Sequence, residues 1–144
     1  MLKICSRIAL LVVGLGLLSL VLMRSLVSPS PVVTACQLAA LALGVWARAS
    51  FPSGSFGVTA VPVGTATIHR GPYRLIRHPM YAAALLLIWA SIFGHLSPAT
   101  AAVGVVVTAV AACRIVDEER LLRARFPDYA EYARSTRMLV PFLL

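Results

Sequence analysis

The chain has 144 residues, 60% of them hydrophobic, and carries a formal charge of +8. That apolar share is above the range of ordinary soluble domains, and the length suits one unit rather than two. A nucleic-acid binder would also be basic but would not spend most of its length on apolar runs, so the expected partners are membrane lipids and an anionic ligand, with no nucleic acid.

Ile8 to Val27 is apolar apart from Arg24 near its end, and is long enough to cross the ~30 Å of bilayer hydrocarbon. Ser28-Pro29-Ser30-Pro31 follows without a small-x-small cleavage site, so the segment reads as a retained helix rather than a signal peptide. Val32 to Ala47 predicts a second span, with Gln37 its one strongly polar member. A long loop, residues 48–79, comes next. Met80 to Phe93 and Pro98 to Val116 predict the third and fourth spans, and only Gly94 to Ser97 separates them, which implies a tight helical hairpin. Residues 117–144 then read as an amphipathic helical tail. The expectation is an all-α, polytopic membrane helix bundle of about four transmembrane helices, forming a single domain over residues 1–144.

Charge sets the orientation. All five acidic residues lie between Asp117 and Glu131, and everything before Asp117 is basic or neutral. Basic residues cluster at the N-terminus (Lys3, Arg7), in the long loop (Arg48, Arg70, Arg74, Arg77) and after Arg114, whereas the opposite loops hold little beyond Arg24 and His95. By the positive-inside rule both termini and the long loop face the cytoplasm, and the expected location is a bacterial cytoplasmic membrane. Cys5, Cys36 and Cys113 are too scattered for a metal or redox motif, and read as small buried hydrophobes; no metal site is expected.

Topology asks for positive charge, but not for histidine followed by proline. In GPYRLIRHPMY, residues 71–81, Gly71-Pro72 marks a turn, and Pro79 suits the first position of a helix, with His78 at its cap. The exposed N–H groups of that first turn favour an anion, and Arg74 and Arg77 are close by. Beyond the fourth span, Arg114 and Glu118 are four apart, as are Glu119 and Arg123, so each pair meets on one helix face. Because the two spans of the hairpin are antiparallel, the His78 end and the Glu118 end lie at one membrane face, which suits a small zwitterion. Singly, each signal has a plainer reading: arginines as topology anchors, glutamates as a solvated face, His78 as a simple cap.

Together, GPYRLIRHPMYAAA, the hairpin and DEERLLRARFPDYAEYARSTRMLVPF resemble the isoprenylcysteine carboxyl methyltransferase family, the integral-membrane methyltransferases that include phospholipid methyltransferase relatives. The likeness runs over roughly residues 64–142. It implies S-adenosylmethionine as cofactor, bound by Tyr73, His78, Pro79, Tyr81, Glu118, Glu119, Tyr129 and Tyr132, with Arg77, His78 and Glu119 as the catalytic candidates and Phe126 part of the tail motif. Two departures stand out: Ala83 where relatives carry glycine, and Pro127 after Phe126, which predicts a new helix at a changed angle. Ser53-Gly54-Ser55-Phe56 matches a Phe-Ser segment of relatives only loosely. A carboxylate acceptor, such as that of a prenylated or similar lipid, is already ionised at neutral pH and needs no base; an amine or thiol acceptor would call on His78 or Glu119. A non-catalytic membrane adaptor or lipid-binding protein, or a nicotinamide-dependent membrane reductase, remain alternatives on the same scaffold.

Overall fold

Prolines set the helix starts. In the computed structural model, which describes residues 2–50 and 69–139 and side chains from residue 11 onward, Pro31, Pro79 and Pro98 each occupy the first turn of a helix, where a missing N–H costs no intrahelical bond. Among the described residues five α-helices follow in chain order: α1 Leu2–Leu22, α2 Pro31–Ala49, α3 Pro79–Gly94, α4 Pro98–Arg125 and α5 Tyr129–Ser135, with a 3-10 turn at Gly71–Arg74 before α3. Among the described residues there is no β-strand, only an isolated parallel bridge between Ile76 and Arg137. Lys3, Cys5, Arg7, the Ser53–Phe56 stretch and Pro141 lie outside the described side chains.

One boundary departs from the sequence expectation. The first helix ends at Leu22 instead of Val27 because the chain closes in a Schellman motif. Ser25 N–H donates to Leu20 O at 2.8 Å and Arg24 N–H to Val21 O at 2.9 Å, while Arg24 takes the left-handed conformation at φ 53°. Hydropathy continues past this point, but the backbone does not. The fourth helix outlasts its apolar span, as the expected charge pairs beyond Arg114 imply. It runs on from Val116 to Arg125, because Arg114–Glu118 and Glu119–Arg123 pairs support its face (3.1 and 3.2 Å) and no helix breaker occurs before Pro127. Phe126, forced toward extended backbone by the proline after it, has φ −118° and ψ 110°. The tail therefore begins as the end of α4 and holds a separate helix of 7 residues, α5, whose Tyr129 and Tyr132 are buried.

The α3–α4 connection is capped reciprocally. Ser97 Oγ accepts from Thr100 N–H at 3.1 Å and Thr100 Oγ1 accepts from Ser97 N–H at 2.9 Å. The helices then pack closely at Gly104, where a Cβ would fall 2.6 Å from Ile92 Cδ1. Leu20, Ile88, Ile92 and Val107 form the core between α1, α3 and α4. On another side of α3, α2 packs antiparallel: Gly44 meets Ala83 near one end and Val33 approaches Gly94 near the other. Gln37 ties them midway, donating to Ser91 Oγ at 2.8 Å.

Many large apolar side chains face outward. Leu15, Leu38, Phe93 and Val105 are all exposed, as lipid-facing side chains are. Cys113 is also exposed and Cys36 half-buried, contrary to the expected burial; an apolar exterior accepts a thiol as readily as a core does. By length and composition α2 and α4 can cross a membrane, while α3 and Leu11–Leu22 of α1 are shorter apolar helices.

Candidate active site

Three segments of the chain meet at one end of the hairpin: the turn before α3, the last turns of α4, and α5 with the residues after it. The turn starts at Gly71, whose φ of +56° favours glycine. A side chain there would also collide with Ser50 Oγ at the end of α2. The chain then runs extended beside the segment leaving α5, with Arg137 N–H donating to Leu75 O (3.0 Å), Arg77 N–H to Arg137 O (2.7 Å) and His78 N–H to Met138 O (3.0 Å). Tyr132 seals the inner side, its hydroxyl donating to Tyr73 O at 2.6 Å and its ring edge-on to His69 at 4.4 Å.

Inside this enclosure one carboxylate oxygen gathers three donors. Glu119 Oε1 accepts from Arg77 Nε at 2.8 Å and from the Tyr129 hydroxyl at 2.9 Å, and lies 3.1 Å from His78 Nε2. Arg123 reaches Glu119 Oε2 at 3.2 Å. Burial raises the affinity of this carboxyl for its proton, but the bonds from His78, Arg77 and Tyr129 outweigh it and hold the pKa at about 2 instead of 4.5. The tyrosines respond in the opposite sense. Burial first, then the neighbouring Glu119 charge, pushes Tyr129 well above its ordinary value. Tyr132 is pushed up to about 12, mainly by burial. Burial likewise raises Tyr73. All three remain neutral at physiological pH.

Glu118 occupies a more open position. Its side chain is 18% exposed against 8% for Glu119. Glu118 Oε1 accepts from the Tyr81 hydroxyl at 2.6 Å and from Arg114 Nε at 3.1 Å, and Oε2 lies 3.7 Å from His78 Nδ1. The imidazole thus faces a carboxylate from each nitrogen. Arg77 ties several elements together: besides Glu119, its Nη1 donates to Ala133 O at 2.9 Å and Thr136 O at 2.5 Å, satisfying carbonyls at the C-terminal end of α5.

The structure therefore brings Arg77, His78, Tyr81, Glu118, Glu119 and Tyr129 into one network. Tyr73, Pro79 and Tyr132 form its walls: Pro79 starts α3, and the two tyrosines are buried. Sequence reading missed the backbone pairing of residues 75–78 with 137–138 and the roles of Ala133 and Thr136 as carbonyl partners of Arg77. Segments this short have no hydrophobic period, so no signal in the sequence points to them.

The family profile described as phospholipid methyltransferase matches residues 31–128. A cobalt-zinc-cadmium resistance protein, CzcN, of Cupriavidus metallidurans is 40% identical over 76 residues, which is 51% of this chain and 34% of that protein. The chain thus spans about a third of the length of this curated relative. No solved structure matches.

Proposed function

The chain belongs to the phospholipid methyltransferase family, a family of membrane methyltransferases, and we propose that it transfers a methyl group from S-adenosylmethionine to a lipophilic acceptor, favouring a lipid-borne carboxylate. In this reading α1 to α4 all cross the bilayer, with both termini and the network around Glu119 at the cytoplasmic face of a bacterial inner membrane. The observation that carries it is the meeting of the His78 end of α3 with Glu118 and Glu119 of α4 inside an enclosure closed by the tail.

The donor set suits the cofactor, which bears an amino group, a carboxylate, ribose hydroxyls and an adenine. Glu118, the more accessible carboxylate, takes the amino group or the ribose hydroxyls through charge-assisted bonds. The free N–H groups in the first turn of α3 face the carboxylate. The rings of Tyr129 and Tyr132 line the adenine side, since their hydroxyls are already committed to Glu119 and to Tyr73 O. When bound, the sulfonium of this cofactor supplies an electrophilic methyl group. What the chain contributes is alignment of nucleophile, methyl and sulfur. Arg77 and Glu119 hold the enclosure in shape and act as positioning residues.

The acceptor reading follows from what the network leaves available. Glu119, ionised and surrounded by donors, is a weak base. Both nitrogens of His78 face carboxylates. A nucleophile that is already ionised, such as a carboxylate, asks for no base here. Incubating membranes that contain the protein with methyl-labelled cofactor tests this. The expected product is a labelled lipid that releases its label as methanol in alkali, absent with His78→Ala. Label that resists alkali would overturn the carboxylate assignment, and no lipid labelling by well-folded protein would overturn the transfer itself.

A further inference from the structure

In this structure the enclosure around Glu119 is shut. His78 is 5% exposed and Glu119 6%, so a ligand as large as a nucleoside reaches neither until a wall moves. Of the three described walls, two are parts of packed rods. Helix α3 begins at buried Pro79, and α4 carries Glu119 on the same helix as buried Val107, Ala111 and Ile115. The third wall, residues 127–139, is held differently. Tyr129 and Tyr132 of α5 are buried, but Ala130, Glu131, Arg134 and Ser135 face outward. What ties this wall down is mostly polar: the Tyr132 bond to Tyr73 O, the two carbonyl bonds of Arg77, and the backbone pairing of residues 75–78 with 137–138. Water replaces such bonds when a segment lifts, whereas it offers nothing in place of the apolar contacts among α1, α3 and α4. Phe126 and Pro127 interrupt the helix between rod and wall, and a junction of this kind absorbs the dihedral change of a hinge.

We propose that residues 127–139 are a lid, hinged at Phe126 and Pro127 and latched by Tyr132 and Arg77, which lifts as a unit to admit a water-soluble ligand. Closing does more than exclude water. Tyr129 travels with the lid, and its hydroxyl is one of the donors on Glu119 Oε1. Arg77 takes its two carbonyl partners from the lid while its Nε stays on Glu119. The donor set of Glu119 is therefore complete only in the closed state, and the position of the lid is coupled to the charge balance of the site. That the ligand is the methyl-donating cofactor rests on the function proposed for the site; the motion of the lid does not.

Hydrogen exchange of the full chain in detergent micelles, followed at single amides by NMR, tests the motion without a ligand. The amides of Arg77, His78 and Arg137, which pair across the lid, are expected to exchange together and faster than those of the core residues Ile88 and Ile92. Tyr132→Phe keeps the ring but removes the bond to Tyr73 O, so the lid amides exchange about fivefold faster, the ratio equivalent to ~1 kcal/mol. The core amides do not change. Pro127→Gly, at an exposed hinge position, accelerates the same amides and serves if Tyr132→Phe does not fold. Arg134→Gln, on the outer face of α5, leaves them unaltered. In stopped-flow mixing, S-adenosylhomocysteine is expected to associate with and leave Tyr132→Phe about fivefold faster at a nearly constant Kd, because the latch closes both the free and the bound protein. Loss of an ordinary ligand contact changes dissociation alone. Lid amides exchanging at the core rate, no acceleration in a folded latch or hinge variant, or unaltered association despite faster exchange would each overturn the lid. Lid exchange as expected, without binding of S-adenosylhomocysteine, would support the lid and overturn the cofactor reading.

Discussion

At the scale of single residues, Glu119 decides most. Its Oε1 is the common acceptor for Arg77, His78 and Tyr129, so its ionised form is bound into the fold. The carboxyl's pKa is lowered from 4.5 to about 2 in the folded protein, which means the unfolded chain takes up a proton first as pH falls. The stability it contributes is fully present above about 4.5 and is lost as pH drops toward about 2. Melting temperatures of detergent-solubilised protein across this window are expected to fall for the wild type and to be much flatter for Glu119→Gln. That variant should start lower, by roughly 3 kcal/mol, because a buried arginine loses its counter-charge. Glu118→Gln, at the more exposed carboxylate, is expected to keep most of the stability and to lose ligand affinity instead. The pairs Arg114–Glu118 and Glu119–Arg123 were legible from their four-residue spacing alone. The larger role of Glu119 was not, because its partners Arg77 and Tyr129 come from different segments and only the fold brings them together.

At the scale of elements, helix starts were easier to read than helix ends. Pro31, Pro79 and Pro98 marked three starts to within a residue, since proline acts locally. The end of α1 is fixed by backbone closure around Arg24, and apolar residues beyond it gave no warning. A non-glycine residue in the left-handed region costs about 1 kcal/mol, so Arg24→Gly is expected to raise the melting temperature by about 2–4 °C. No change, or a decrease, would mean that the arginine makes a compensating contact. The continuation of α4 through an acidic and basic run was legible from the four-residue spacing of its charge pairs and not from hydropathy, which registers the loss of apolar character and not the persistence of helix. Its consequence is functional: Glu118 and Glu119 sit on the same rigid rod as the core residue Val107, so their position is set by packing within the bundle. Pro127 was read correctly as a break, and the break is what lets α5 turn Tyr129 back toward Glu119.

At the scale of the whole molecule, the apolar exterior and the charged enclosure at one end divide the work. The first suits lipid surroundings; the second gathers titratable groups from three segments of the chain. The all-helical class and the residues that meet in the enclosure were readable because apolar helices and short local motifs both leave strong signals. How the tail folds over the hairpin was not, because it depends on backbone pairing between residues 75–78 and 137–138. The central claim is that this enclosure is the cofactor site of a membrane methyltransferase. Isothermal titration calorimetry of the purified full chain with S-adenosylhomocysteine, the demethylated cofactor, tests it most directly. Saturable binding is expected in the wild type, with at least a tenfold loss in Glu118→Gln, a difference of ~1.4 kcal/mol, and the melting temperature retained. Absence of any binding heat from well-folded wild-type protein would contradict it.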